Sequence, residues 1–174
     1  MNSAQIDIRK AVLGDADAAT DVLRRSIAEL CKADHHDDPR RLGPWLANKR
    51  PEIFAQWLGD AKNHVFVAVR AGKIAGVGSI TSEGYIGLNY VAPEARFAGV
   101  SRKMLAHLES EARRFGLARV FLTSTATARN FYLAAGYRLR PGEAMIDASE
   151  VPMEKLFDED WSIGPNADEE RSKS

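Results

Sequence analysis

Cysteine is almost absent from this sequence, in which Cys31 is the only one among 174 residues. An intrachain disulfide is therefore excluded. Cys31 lies inside a helical pattern, and we interpret it as a buried, inert thiol. A reactive thiol would need an electropositive, open setting that the sequence does not show.

Long apolar runs and an excess of one charge are also missing. No apolar run approaches the roughly 20 residues of a membrane helix, and the first residues lack a basic start followed by an apolar stretch. We therefore expect a cytoplasmic protein with no membrane partner. Basic and acidic residues number 24 each, so the balance of charge does not favour nucleic acid as a partner. The basic residues that could support that alternative are scattered: Arg113, Arg114 and Arg119.

The remaining composition, with 45% hydrophobic and 28% charged residues, suits one compact domain. We predict a single domain over residues 1–157 and a polar, poorly ordered tail over 158–174. Apolar periodicity predicts the element order β, α, α, β, β, β, α, β, α, β, β, which is typical of an α/β layer around a mixed sheet. The predicted strands cover 5–9, 64–70, 73–81, 85–91, 119–123, 137–140 and 151–157. The main predicted helices cover 18–33, 101–115 and 127–135, with short ones around 42–46 and 53–58.

The most informative segment, LNYVAPEARFAGVSRKML, begins at Leu88 and joins a predicted strand to a predicted helix. Its small residues would let a ligand approach the backbone, and the start of the helix offers unpaired N–H groups to an anion such as a pyrophosphate. A glycine turn that simply begins a core helix is the alternative. The segment is neither a P-loop nor a GxGxxG motif. Local positive charge comes from Arg96, Arg102 and Lys103.

Two motifs in this chain resemble those of the GNAT N-acetyltransferase superfamily. Arg96-x-x-Gly99-x-Ser101 is similar to its acetyl-CoA motif, in which Arg or Gln precedes Gly and then Gly or Ala. Ser101 departs from the last position but is small enough for the same backbone approach. About thirty residues later, ARNFYLAAGY, which includes Tyr132, resembles the pattern Ala-x-x-Phe-Tyr-x-x-x-Gly-Phe.

The resemblance implies a small, stand-alone, bacterial-type member of that superfamily. Its fold would be a mixed, mostly antiparallel central sheet of six to seven strands, flanked by helices on both faces. Its co-substrate would be acetyl-CoA, its acceptor a small-molecule or peptide amine, and it would need no metal. Homodimers are common in the family. The implied cofactor-binding residues are Tyr90, Val91, Arg96, Phe97, Ala98, Gly99, Val100, Ser101, Arg102, Lys103, Thr125 and Asn130.

The resemblance also implies direct attack of a neutral amine on the thioester. A backbone N–H of Tyr90 or Val91 would polarise the carbonyl. Tyr132 would serve as the general acid that protonates the departing thiolate, whereas simple packing beside Phe131 is its structural alternative. A non-catalytic module that binds coenzyme A as a sensor or interaction surface is the competing function, and the presence of Tyr132 favours catalysis.

The acceptor side is less determined by the sequence. Glu83 is a candidate base acting through water, and a solvated turn carboxylate is its alternative. The segment His35-His36-Asp37-Asp38 has no spaced partner to complete a metal site, so we expect a loop at the acceptor entrance. Three residues are candidates for contact with the acceptor: His35, His36 and Asn89.

Overall fold

The computed structural model describes residues 5–142 and 150–157. Within these ranges, seven strands form two antiparallel sheets, one in the order β1-β2-β3-β4 and the other in the order β5-β7-β6. The strands are β1 (Ile6–Lys10), β2 (Asn63–Arg70), β3 (Lys73–Thr81), β4 (Ile86–Val91), β5 (Arg119–Ser124), β6 (Arg138–Leu139) and β7 (Val151–Leu156).

Six α-helices accompany the strands in the described ranges. They are α1 (Ala16–Arg25), α2 (Lys32–His35), α3 (Pro39–Ala47), α4 (Pro51–Gly59), α5 (Val100–Arg114) and α6 (Arg129–Ala134). The predicted helix over 18–33 is not continuous, because a π-helical turn over Ser26–Leu30 follows α1. Such turns are rare and are frequent at functional sites. None of the described helices combines the length and apolar content that crossing a membrane requires.

The β2–β3 hairpin has a tight turn at Ala71 and Gly72. Both residues have positive φ, 50° and 75°, as a two-residue turn that matches the twist of its strands requires. The hairpin sets the register in which Val67 faces Val77, and both side chains are fully buried in the core.

Helix α5 approaches β3 closely because two positions on that strand lack a side chain. A Cβ on Gly76 would lie 2.7 Å from Val100 Cγ1, and one on Gly78 would lie 2.5 Å from Met104 Sδ. Helix α1 also packs against β3, whose central residues are buried on both faces. Helices therefore cover both faces of this sheet, as the predicted fold class requires.

The two sheets meet at one point and then separate. Tyr85 and Phe121 form a parallel bridge, and the Phe121 N–H donates to the Gly84 carbonyl at 3.0 Å. Beyond this bridge the paired strands are confined to their own sheets in the described chain. The predicted fold class, a mostly antiparallel sheet flanked by helices, is thus confirmed. The sheet is divided into two parts, and the division leaves an opening between β4 and β5.

The predicted elements otherwise correspond to those observed, with ends that differ by at most three residues. The predicted tail over 158–174 lies outside the described residues.

Candidate functional site

A cavity of about 630 Å³ occupies the opening between β4 and β5. We call it the first cavity. Its walls come from the π-helical turn, strand β4, the loop before α5, strand β5 and helix α6. It brings together most of the predicted cofactor-binding residues, namely Tyr90, Val91, Arg96, Phe97, Gly99, Val100, Ser101, Arg102 and Thr125, together with Asn89 and Tyr132.

The N-terminus of α5 opens onto this cavity. Gly99 precedes the helix with φ of 85°, and within the described chain no side chain caps the terminus. Glycine adopts this left-handed backbone without the steric cost that a Cβ would bring. A Cβ on Gly99 would meet nothing within 4 Å, so the space beside it is open. The arrangement leaves the first N–H groups of a 15-residue helix available to an anion.

Two arginines add positive charge to the same wall, and one predicted lysine does not. Arg96 and Arg102 line the first cavity, and the Arg96 guanidinium lies 4.6 Å from the centre of the Phe97 ring. Lys103 instead donates to the Ile6 carbonyl of β1. Ala98 is half-buried and packs against the core. Neither Lys103 nor Ala98 is among the residues that line the first cavity.

The outer edge of β4 presents backbone groups to the opening. The Ala92 N–H donates to the Ala75 carbonyl of β3 at 2.9 Å. Since successive N–H groups of a strand point to opposite edges, the Val91 N–H points away from β3. The opening lies on that edge, so Val91, rather than Tyr90, offers its N–H there.

Tyr132 lies on the opposite wall, on α6, and is buried. Burial raises the pKa of its phenol to about 12, so the phenol stays protonated at neutral pH. In the described chain, neither amide atom of Asn89 is within hydrogen-bond geometry of a partner, which leaves a buried polar group facing the cavity.

The remaining residues predicted on this side divide between the wall and the surface. Thr125 lines the first cavity, and its hydroxyl accepts from the Ala128 N–H at 3.2 Å. Asn130 is exposed on α6 and lies outside the lining. Cys31, on the wall, has a thiol whose pKa is raised to about 12, chiefly by burial, in agreement with its interpretation as inert.

A second cavity, of about 540 Å³, adjoins the first. The two share the wall residues Gly87, Tyr90, Thr123 and Thr125. The second cavity is lined by residues of α2, α3 and their loops, of strands β4 and β5, and of the segments before β4 and β7. Its other lining residues are Asp34, His35, Arg41, Pro44, Trp45, Lys49, Tyr85, Leu88 and Glu150.

Three residues predicted on the acceptor side have different positions. His35 lines the second cavity but is fully buried, and its ring nitrogens bond the Ile27 carbonyl and the Asp37 N–H. Both nitrogens are therefore engaged, which leaves no free lone pair for a base. His36 and Glu83 line neither cavity; both are exposed, and the Glu83 carboxylate lies 3.7 Å from the Lys62 ammonium.

Asp34 connects the floor of the second cavity to the loop that begins α6. Its carboxylate accepts from the Ala126 N–H at 2.7 Å and from the Thr127 hydroxyl. It is only 4% exposed. The link holds Thr125 and Tyr132 in place relative to α2, and no sequence pattern had indicated it.

We expect Asp34→Ala to lower the free energy of unfolding by about 2–4 kcal/mol, because it removes charge-assisted hydrogen bonds and leaves buried donors unpaired. Urea unfolding would measure the change. Asp21→Ala is the matched control, since Asp21 is 62% exposed and only pairs with Arg25 within α1; we expect a change within about 0.5 kcal/mol. Equal stability of the two variants would contradict the role given to Asp34.

Two cationic residues that line the second cavity, Arg41 and Lys49, were not predicted as site residues. A single basic residue in a polar segment is most often solvated, so no signal distinguished them. No group of three or more His, Cys, Asp or Glu suited to a metal occurs in the part of the chain that the structure describes.

The sequence matches the family model of the acetyltransferase (GNAT) domain over residues 45–157, more than half of the chain. The chain belongs to the GNAT acetyltransferase family. It is accordingly an acyltransferase, and acetyl transfer is its general reaction. Comparison with curated proteins gives no match.

Solved structures show the same fold. A GCN5-related N-acetyltransferase from Rhodopseudomonas palustris has a TM-score of 0.78 and 20% identity, covering 90% of this chain and 99% of its own. PaiA N-acetyltransferase from Thermoplasma acidophilum, solved with coenzyme A, has a TM-score of 0.74 and 17% identity, covering 88% and 99%. YncA from Salmonella typhimurium, solved with acetyl-CoA, has a TM-score of 0.58 and 21% identity, covering 94% and 99%.

Proposed function

We propose that this GNAT acetyltransferase transfers an acetyl group from acetyl-CoA to a primary amine, which attacks the thioester directly. The observation that carries the proposal is the first cavity. The walls of this cavity bring together an uncapped helix N-terminus, two arginines, an open strand edge and a protonated, buried phenol. PaiA and YncA, which share the fold, were solved with coenzyme A and acetyl-CoA respectively.

The residues present suit acetyl-CoA as the donor. The N–H groups that begin α5 and the charges of Arg96 and Arg102 would hold the diphosphate. The open space beside Gly99 admits a phosphate close to the backbone. Asn89 supplies a buried amide with both polar atoms free of partners in the described chain, as a polar ligand requires. Acetyl-CoA would supply the thioester.

Two groups on facing walls would then act on the acetyl group. The Val91 N–H would donate to the thioester carbonyl and stabilise the negative charge that develops on its oxygen. Tyr132, kept protonated by burial, would give a proton to the departing sulfur. Neither role requires a metal or a covalent intermediate on the protein.

The second cavity would receive the amine. It shares Gly87, Tyr90, Thr123 and Thr125 with the first, so an amine bound there lies next to the donor wall. This proximity supports direct transfer between two bound substrates, which lowers the entropic part of the barrier.

A thiol-release assay with acetyl-CoA and a panel of amines tests the proposal. The panel contains polyamines, amino acids, peptide N-termini and lysine side chains. We expect release of the coenzyme A thiol that depends on one class of amine and exceeds the rate without amine. Binding of acetyl-CoA without release for any amine would instead support a non-catalytic sensor.

A further inference from the structure

The second cavity contains a buried cation that this protein does not neutralise within its described residues. Lys49 is 7% exposed. Its ammonium donates to the Asn48 side-chain oxygen at 2.5 Å and lies 5.7 Å from the centre of the Trp57 ring. Burial lowers the pKa of Lys49. Burying an ammonium without a carboxylate is costly, so an anion is the expected partner.

A second cation lies on the same cavity. The Arg41 guanidinium donates to the Asp34 backbone carbonyl at 3.3 Å, and within the described chain it forms no ion pair with a carboxylate. Arginine and lysine together provide several donors that suit a carboxylate. The cavity thus has two donors of positive charge, Arg41 on α3 and Lys49 in the segment between α3 and α4.

Neither acidic residue that lines the cavity forms an ion pair with Lys49 or Arg41 in the described chain. The carboxylate of Asp34 is already engaged by the Ala126 N–H and the Thr127 hydroxyl. Glu150 is exposed, as Arg41 also is. His35 adds no further donor, because both its nitrogens are engaged.

The rest of the lining combines polar groups with an apolar and aromatic part. Pro44, Trp45, Tyr85, Leu88 and Tyr90 form that part. Such walls favour burial of an apolar side chain.

We infer that the acceptor is an amine that also carries a carboxylate and an apolar side chain, as an amino acid does. Lys49 and Arg41 hold the carboxylate, and the aromatic walls hold the side chain. The inference rests on the proposed function, since it assigns the substrate class of the same site.

Pairs of amines that differ only in the carboxylate test the inference. L-Phenylalanine, L-leucine and L-methionine are each compared with their amides in the thiol-release assay. We expect kcat/KM for at least one acid to exceed that of its amide by about tenfold or more, the effect expected of a charge-assisted contact. The product pair N-acetyl-L-phenylalanine and its amide is compared by calorimetry in the presence of coenzyme A, which requires no turnover.

Substitution of Lys49 assigns the preference to this residue. Lys49→Met should raise KM for the acids about tenfold while leaving the amides unchanged, and Lys49→Arg should restore most of the loss. Lys10→Met is the control, because Lys10 is exposed on β1 and lines neither cavity. The Tm of Lys49→Met should equal or exceed that of the parent, since a buried charge is removed, so a loss of affinity does not reflect unfolding.

The outcomes separate the two proposals. Acetylation of acids and amides alike, unchanged by Lys49→Met, overturns the inference and leaves the proposed function standing. Binding of N-acetyl-L-phenylalanine that depends on Lys49, without acetylation of any amine, supports the carboxylate site and overturns the proposed function. If the acids are not acetylated and the acidic product does not bind, the inference is overturned.

Discussion

Gly99→Val is expected to abolish measurable binding of coenzyme A. The valine side chain would enter the open space beside the N-terminus of α5, where the proposed diphosphate site lies. It would also impose a β-branched residue on a backbone with φ of 85°, which costs about 1–3 kcal/mol. Calorimetry with coenzyme A measures the first effect, and urea unfolding measures the second.

Gly116→Val separates these two effects. Gly116 follows α5 at the other end of the helix, also has positive φ, 75°, and would place its Cβ within 4 Å of nothing. It lies outside both cavities. We expect this variant to lose a similar amount of stability and to bind coenzyme A with the Kd of the parent. Folded Gly99→Val protein that binds coenzyme A normally would disprove the assigned diphosphate site.

The local elements of this fold were readable from the sequence because their causes are local. The strand-like runs HVFVAVR and KIAGVGSIT predict β2 and β3, and Gly72 between them suits a tight turn because glycine accepts positive φ. The amphipathic pattern of α5 and the glycine before it likewise predict the helix and its anion-friendly start. These signals were sufficient for the donor side of the site.

The separation of β4 from β5 could not be read in this way. Both strands have the apolar pattern of paired strands, and pairing at Tyr85 and Phe121 is all that joins the two sheets in the described chain. Whether an edge finds a partner depends on how distant elements pack.

The position of Lys103, which follows Arg102 on α5, also depends on packing, because packing decides which face of the helix meets the cavity. A rotation of about 100° per residue places Arg102 at the cavity and Lys103 at the Ile6 carbonyl.

The second cavity was even less predictable from the sequence, because its walls come from separate segments. Lys49 precedes α4, Tyr90 ends β4, and Thr123 lies on β5. No periodicity or motif links them, and only the folded chain brings them together. Candidates chosen from residue type alone were therefore placed differently: Glu83 lies in an exposed turn, and both nitrogens of His35 have structural partners.

Tyr132→Phe is expected to lower kcat by one to two orders of magnitude, about 1.4–2.7 kcal/mol of transition-state stabilisation. The substitution removes the proton proposed for the departing sulfur and leaves the ring in place. The Kd for acetyl-CoA should stay the same, because the groups assigned to the diphosphate are untouched. Initial rates with the acceptor found in the amine panel measure kcat, and calorimetry measures the Kd.

The pH profile tests whether the Tyr132 phenol carries its proton over the working range. With a pKa raised to about 12, the Tyr132 phenol is protonated in the parent at every pH from about 7 to 10. The ratio of parent to variant kcat should therefore be constant over that range. A ratio that falls as pH rises would indicate that the Tyr132 phenol loses its proton within that range, with a pKa lower than burial implies.

Tyr137→Phe is the matched control for the loss of a buried phenol. Its ring lies 5.4 Å from that of Tyr132, and its hydroxyl contacts the Glu109 carboxylate at 3.2 Å, but it lines neither cavity. This variant should lose about 1–2 kcal/mol of stability with the broken hydrogen bond and keep its kcat. If Tyr132→Phe also keeps the parent kcat, the proton must reach the sulfur from another group, and the role of Tyr132 is packing beside Phe131.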